Sequence, residues 1–469
     1  MKKSILFFCI LLSNFSFSQS WLTVGTADFA DDYATFMFSA ISPNGEPYVV
    51  YRDYSLVVKK FDDFNWVNVG PPFSIGMVSC TTMDFDTEGN PYVAYTDWAN
   101  NKKASVMKFD GTNWVAVGSL GFTPNAATYT SIKIDNNGTP YVAFRDVFHN
   151  YRASVMKFDG SNWVYVGAPG FSAHGNGYQG ASYTSLFIDP DGFPYVAYTE
   201  MSNNFSATVM RFDGNNWIYV GDSTGFSAGP ANNTSIVADS QGTIYVAYVD
   251  GATGEKATVK KFDGNNWVSV GIPGFSPGAV SFTSLAINNN DVLYVAFKDH
   301  ANSNKASVMT FNGSNWVILG QPGFSACDVN HTTIAVDKNN GILYTAYVDL
   351  HNASSLTPSY DATVMRFDIS TSIKDAPATF SITVYPNPTS RLVTIYINSN
   401  TSQENLALRI NNSLGKTVFS ETLKENSEPL TKQIDLGALP KGIYFIELQV
   451  MSSTSKNKSP GQVTKLILQ

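Results

Sequence analysis

The sequence predicts an all-β chain in which one four-stranded unit recurs seven times, followed by a second, smaller all-β domain. Two periodicities and the composition carry this reading. Trp21, Trp66, Trp114, Trp163, Trp217, Trp267 and Trp316 recur at spacings of 45, 48, 49, 54, 50 and 49 residues, with only Trp98 outside the series. Two further markers recur seven times each. One is the Tyr of a Tyr-Val-Ala-Tyr-like segment (Tyr48, Tyr92, Tyr141, Tyr195, Tyr245, Tyr294, Tyr344), the other the Phe of a Lys-Phe-Asp-like segment (Phe61, Phe109, Phe158, Phe212, Phe262, Phe311, Phe367). The chain holds 8 Trp, 24 Tyr and 32 Phe but only 14% charged residues, so it can bury a large core and disorder is excluded for most of its length. Gly, Asn, Tyr, Val and Thr dominate where a helical bundle would need Leu, Ala, Glu and Lys.

Each repeat of about 50 residues contains four β-rich runs, a to d, seen cleanly at 130–135, 140–146, 153–159 and 162–167. The a–b link is Asp-x-x-Gly, as at Asp86 to Gly89, Asp135 to Gly138, Asp189 to Gly192 and Asp239 to Gly242. Asp opens such a turn through its side-chain acceptor and Gly supplies the positive φ. The c–d link is a tight Asp-Gly-x-Asn hairpin, as at Asp110-Gly111, Asp159-Gly160, Asp213-Gly214 and Asp263-Gly264. One or two carboxylates per turn fall short of the six or more oxygens a calcium site needs. The ends of the repeat region fit one another. Trp21 opens a d run with no a, b or c before it, and the last unit stops after its c run at Asp368. The N-terminal strand is therefore expected to complete the last sheet, which seals the free edges. The prediction is a seven-bladed β-propeller followed by a small immunoglobulin-like β-sandwich.

Lys2 and Lys3 precede an apolar run from Ile5 to Leu12 and then a polar stretch, the pattern of a secretory signal peptide ending at Ser18. No segment reaches the roughly 20 apolar residues of a membrane span. Cys80 and Cys327 fall in non-neighbouring units and are expected to be free, buried thiols. The expected organisation is a signal peptide at 1–18, the propeller at 19–368, a linker at 369–377 and the second domain at 378–469. Residues 19–376 hold 19 Lys and Arg against 32 Asp and Glu, a net −13, while residues 377–469 carry +3. Such a propeller has no electrostatic reason to seek nucleic acid or anionic membrane.

In strand order and in the Trp of its outer strand, the repeat resembles kelch-type propellers and the lectin-like propellers built from Trp-bearing repeats. The resemblance spans residues 21–368 and implies the fold more than the function. The double glycine of kelch repeats is absent. The tail is more specific. Tyr385-Pro386-Asn387-Pro388-Thr389, Leu414-Gly415-Lys416, Leu439-Pro440-Lys441-Gly442-Ile443-Tyr444 and a terminal Lys465-Leu466-Ile467-Leu468 follow in that order. Together they resemble the C-terminal sorting domain of the type IX secretion system. The resemblance implies export through the periplasm, engagement of an outer-membrane translocon by the tail, and release or attachment at the cell surface. An ordinary accessory domain binding sugar or cell wall is the alternative for these residues.

In a four-stranded blade the a–b and c–d turns share one face and the b–c and d–a loops the other. The turns are near-identical, so variation and candidate binding residues collect on the loop face. Trp98, Phe148 and His149 offer flat rings for sugar C–H groups, with Arg52, Asp53, Asp97, Arg145 and Asp146 beside them to bond hydroxyls. The Phe of a recurrent Gly-Phe-Ser-like segment (Phe73, Phe122, Phe171, Phe226, Phe275, Phe324) is expected to plug each d–a crossover onto the core. The carboxylate ending strand b in every blade (Asp53, Asp97, Asp146, Glu200, Asp250, Asp299, Asp349) reads as a turn or cap device, because an active site is needed once. His300, His331 and His351 lack metal-ligand spacing, and Cys80 and Cys327 lack a His partner. No catalytic residue, metal or cofactor is assigned. The sequence favours a non-catalytic recognition propeller for glycans or another extracellular polymer. A polysaccharide-degrading hydrolase or lyase and a protein-binding scaffold are the alternatives.

Overall fold

The computed structural model describes residues 20–30, 33–173, 180–221, 225–351, 359–369, 380–399, 405–412, 417–424, 430–451 and 462–468. The expected signal peptide and His174 lie outside them, as do Gly415 and Lys416 of the tail. The chain divides into two compact units, Met1–Thr371 and Ser372–Gln469.

The first unit is a seven-bladed propeller of four-stranded antiparallel sheets. Blade 3 shows the pattern: a is Ala127–Ile134, b Pro140–Asp146, c Arg152–Phe158 and d Trp163–Tyr165. Blade 7 joins Asp328–Asp337, Ile342–His351 and Ser359–Asp368 to the N-terminal strand Leu22–Thr23, with Leu22 opposite Arg366. The ring is thus sealed as the orphan d run predicts. The turns also form as expected. Asp135 Oδ1 accepts the N–H groups of Asn137 (2.9 Å) and Thr139 (2.8 Å), and Gly138 takes φ +80°. Asp159 Oδ1 accepts from Asn162 (2.8 Å) and Ser161 (2.9 Å), and these bonds hold its carboxyl below the usual range.

Two networks lock neighbouring blades. At the outer strands, each Trp indole N–H donates to the carbonyl of the residue just after the preceding blade's d strand: Trp66 to Val24, Trp114 to Val69, Trp163 to Val117, and so on round to Trp21, which donates to Leu319 at 2.9 Å. The Gly-Phe-Ser phenylalanines stack on the next blade's Trp, as Phe122 does on Trp163 (4.1 Å between centroids, 10° between planes). The predicted plug is therefore an aromatic stack between blades, and Phe29 fills the same role against Trp66. Nearer the axis, the Thr-Ser pair of strand a works in both directions. Thr130 donates to the Cys80 carbonyl of the blade before it, and Ser131 accepts the Leu186 N–H of the blade after it (3.1 Å). Across the seal, Ser39 and Thr333 bond at 2.7 Å. The first strands of successive blades pack side by side around the axis.

Cys80 and Cys327 are free thiols as expected, but each is half-buried rather than buried. Strand a of blade 3 carries a β-bulge between Thr128 and Ser131, and the other six blades repeat it. That bulge is absent from the sequence-based expectation.

The second unit is a β-sandwich. Phe380–Tyr385, Leu392–Ser399 and Leu430–Asp435 form one sheet; Thr417–Lys424, Asn405–Asn412, Gly442–Met451 and Gln462–Leu468 form the other. Val393, Ile395, Leu408, Ile410, Ile446 and Leu466 are the centre of its core.

Candidate functional site: the loop face of blades 1 to 3

The strand-b carboxylates point into the fold. Asp97 is buried and caps the short 3-10 helix Trp98–Asn100, accepting from Ala99 N (3.1 Å), Asn100 Nδ2 (2.8 Å) and Ser105 Oγ (2.8 Å). Asp146, fully buried, accepts from Phe148 N (3.0 Å), Ser154 Oγ (2.8 Å) and the Tyr165 hydroxyl (3.1 Å), and lies 2.7 Å from His149 Nδ1. Asp250 and Asp299 repeat the scheme with Thr258 and Ser307. Glu200 departs from it. Its longer side chain reaches Ala173 N (3.0 Å) and Ser202 Oγ (2.7 Å), and burial pushes its carboxyl up. These groups hold the b–c loops in place, so Asp97 and Asp146 shape the loop face from beneath rather than presenting oxygens on it. The Ser or Thr two residues into strand c was the sequence signal for this role.

The ring-bearing candidates are on the surface. Trp98 is 42% exposed, its Nε1–H donates to Ser79 Oγ (3.3 Å), and Lys102 Nζ stands 4.3 Å from its ring centre. Phe148 is 59% exposed and meets the half-buried His149 edge-on at 5.0 Å. Asp53 is half-buried in the tight b–c turn of blade 1, where Asp53 N donates to Ser55 O (2.9 Å). Arg52 and Arg145 are half-buried at the same position of strand b. Arg52 Nη1 donates to Val78 O (3.3 Å) and its guanidinium lies 5.3 Å from the Phe36 ring; that of Arg145 lies 4.7 Å from the Tyr151 ring. Burial lowers the Arg145 pKa, though the group stays a cation.

Sequence reasoning missed several neighbours. Tyr54 (80% exposed), Ile75 (83%), Met77 and Leu120 are open on the loops of blades 1 to 3, and Tyr33 precedes blade 1. Among the described residues, the rest of this face exposes large apolar side chains only at Phe205 and Ile272. The candidates and the missed residues therefore share three adjacent blades of the seven. Loop contacts tie the patch together: Trp98 N donates to Met77 O (3.2 Å) and Val147 N to Ala126 O (3.1 Å). Of the histidines, His300 bonds Ser281 Oγ (2.8 Å) and Asn304 Oδ1 (2.7 Å), and His331 lies on strand a. Among the described residues no three His, Cys, Asp or Glu side chains converge as a metal site would need.

In the sandwich, Asn387 and Thr389, on either side of Pro388, join the start of the tail to its last strand. Asn387 Oδ1 accepts from Ile467 N and Thr389 N donates to Ile467 O, both at 2.9 Å. Tyr385 and Pro386 are exposed beside them. Gly442 opens the strand that carries Tyr444, whose hydroxyl donates to Pro440 O (2.6 Å). Lys465 lies in the last strand.

No curated protein matches the sequence. Among solved structures, a protein of unknown function from Dyadobacter fermentans is 11% identical, with a TM-score of 0.43, over 74% of this chain and 98% of that one. An ulvan lyase is 14% identical with a TM-score of 0.48, over 73% and 95%. A lectin in complex with alpha methyl fucoside is 18% identical with a TM-score of 0.43, over 63% and 97%. Residues 383–459 match the family of secretion system C-terminal sorting domains. The chain ends in such a domain, and it is exported by type IX secretion to the cell surface or beyond.

Proposed function

We propose that the propeller is a non-catalytic recognition module that binds glycans or another extracellular polymer through the loop face of blades 1 to 3. The tail delivers it outside the cell by engaging the secretion translocon. One observation carries this reading: the exposed rings Tyr54, Trp98 and Phe148 gather on three adjacent blades, while the carboxylates that hydrolysis would need are buried as loop caps. Flat aromatic faces with nearby cations and amides suit the alternating C–H and hydroxyl surface of a sugar chain. An extended row of such rings binds by summing weak contacts. A glycan array of the full chain, with Trp98→Ala and Phe148→Ala variants, tests this. The expected result is a restricted set of bound glycans, lost in both variants; a signal unchanged in both overturns the site.

A polysaccharide-degrading reading rests on one feature. His149 Nδ1 sits 2.7 Å from the buried Asp146 carboxylate, the geometry that orients an imidazole as a base. Asn100 and Asn302 make the same bond to Asp97 and Asp299, which is why a structural role for His149 ranks first. Product release from a polysaccharide panel, abolished by His149→Asn, would reverse that order.

A further inference from the structure

Seven residues occupy one equivalent place at the bulge of strand a, just before a Thr in every blade but the first, where Met37 follows: Phe36, Cys80, Tyr129, Tyr183, Asn233, Phe282 and His331. All seven take left-handed backbone angles, φ between +50° and +54°, at the bulge of their strand. For a bulky side chain that conformation costs on the order of 1 kcal/mol, so Gly or Asn is the expected occupant. Only Asn233 meets that expectation. Five of the seven positions carry rings instead, and all seven side chains are half-buried on the ring of strands around the axis. Neighbouring rings touch across blade boundaries: Phe282 to His331 at 5.1 Å, His331 to Phe36 at 5.2 Å, and Tyr129 to Tyr183 at 5.0 Å. The Thr beside each residue is nearly constant among the repeats, while the residue itself varies. A constant frame with a variable, strained occupant is what a specificity-determining position looks like.

Two cations stand against this collar in an otherwise acidic propeller. The Arg52 guanidinium lies over Phe36, and Arg145 lies opposite Thr128, the neighbour of Tyr129. Lys298 holds the equivalent place in blade 6, but Asp328 neutralises it at 2.6 Å. A guanidinium has five donors, of which Val78 O takes one from Arg52. Resting on the glycan-binding reading, we propose that the axial collar receives the end of a sugar chain bearing a carboxylate. Its aromatic faces stack on the sugar ring, and the cations Arg52 of blade 1 and Arg145 of blade 3 attract the carboxylate. The rings on the loops of blades 1 to 3 then hold the rest of the chain.

The test uses the full chain with oligosaccharides of galacturonate, glucuronate and mannuronate, each beside its carboxyl-reduced neutral counterpart. Titration calorimetry is expected to find at least one acidic oligosaccharide bound about tenfold more tightly than its counterpart, the size of one charge-assisted contact. Arg52→Gln and Arg145→Gln should abolish that preference. Tyr183→Asn and Phe282→Asn should weaken both forms; Asn already serves in blade 5, so the backbone is preserved, and melting temperature checks the fold. Equal binding of acidic and neutral forms overturns the collar, as does binding unmoved by the Asn variants. If Trp98→Ala still weakens binding in those cases, the loop-face reading stands without the collar. Failure of every oligosaccharide to bind overturns the acidic-sugar assignment, and the array alone then judges the loop face.

Discussion

Asn387 Oδ1 accepts the backbone N–H of Ile467 across 80 residues of sequence, at 2.9 Å, and so clasps the first recognition block of the tail to its last. Thr389 adds a backbone bond to the same residue and is itself buried, whereas Tyr385 and Pro386 beside it stay exposed. The blocks are far apart in sequence and form one edge of the sandwich.

Asn387→Ala should loosen that edge by about 1 kcal/mol, the net worth of one hydrogen bond, without touching the propeller. Cell fractionation is expected to show the variant accumulating in the periplasm, and removal of residues 378–469 should strand the propeller there completely. Undiminished appearance outside the cell after the full removal would refute the export role of the tail.

Trp21 closes the ring through its stack on Phe324 (4.3 Å) and its bond to Leu319 O (2.9 Å), and it is 7% exposed. Trp21→Ala should cost about 3–5 kcal/mol, the range for a large buried aromatic. Deleting residues 19–26 should go further, leaving strand c of blade 7 as a free edge that templates self-association. Thermal melts and size-exclusion profiles check both; an unshifted, monomeric deletion variant would contradict the seal.

His331 titrates at about 4 rather than 6.5, because burial and the nearby Arg52 charge disfavour the imidazolium. Below pH 6.5 the unfolded chain takes up this proton while the folded chain does not, so stability falls as pH drops from 6.5 toward 4. His331→Asn, which suits the left-handed backbone, removes that contribution. The melting temperature of the variant should fall less than that of the parent between pH 7 and pH 4.5. Parallel pH profiles would show that His331 is protonated in the folded state.

Blade number, turn positions, the sealing strand and the Phe plugs were all legible, because each repeats with the period of the blade and periodicity survives without coordinates. The burial of Asp97 and Asp146 was less so. A carboxylate at a strand end looks alike whether it caps a loop or meets solvent, and only Ser105 and Ser154, each eight residues on, reveal the cap. The strand-a bulge was invisible because no glycine marks it: Phe36 or Tyr183 gives no hint of φ near +50°. Tyr54 and Ile75 escaped notice because an apolar residue beside a strand usually belongs to the core.

The bond from Trp21 to Leu319 spans 298 positions, and blade 7 supplies the strand that Leu22 and Thr23 must pair with. Because the chain is synthesised from its N-terminus, the strand Leu22–Thr23 therefore waits for nearly the whole propeller before it finds its partner. The sorting domain follows that partner in the chain. A molecule that displays a complete sorting domain has already delivered every strand its ring requires, so the order of emergence itself keeps unfinished propellers from being presented for export.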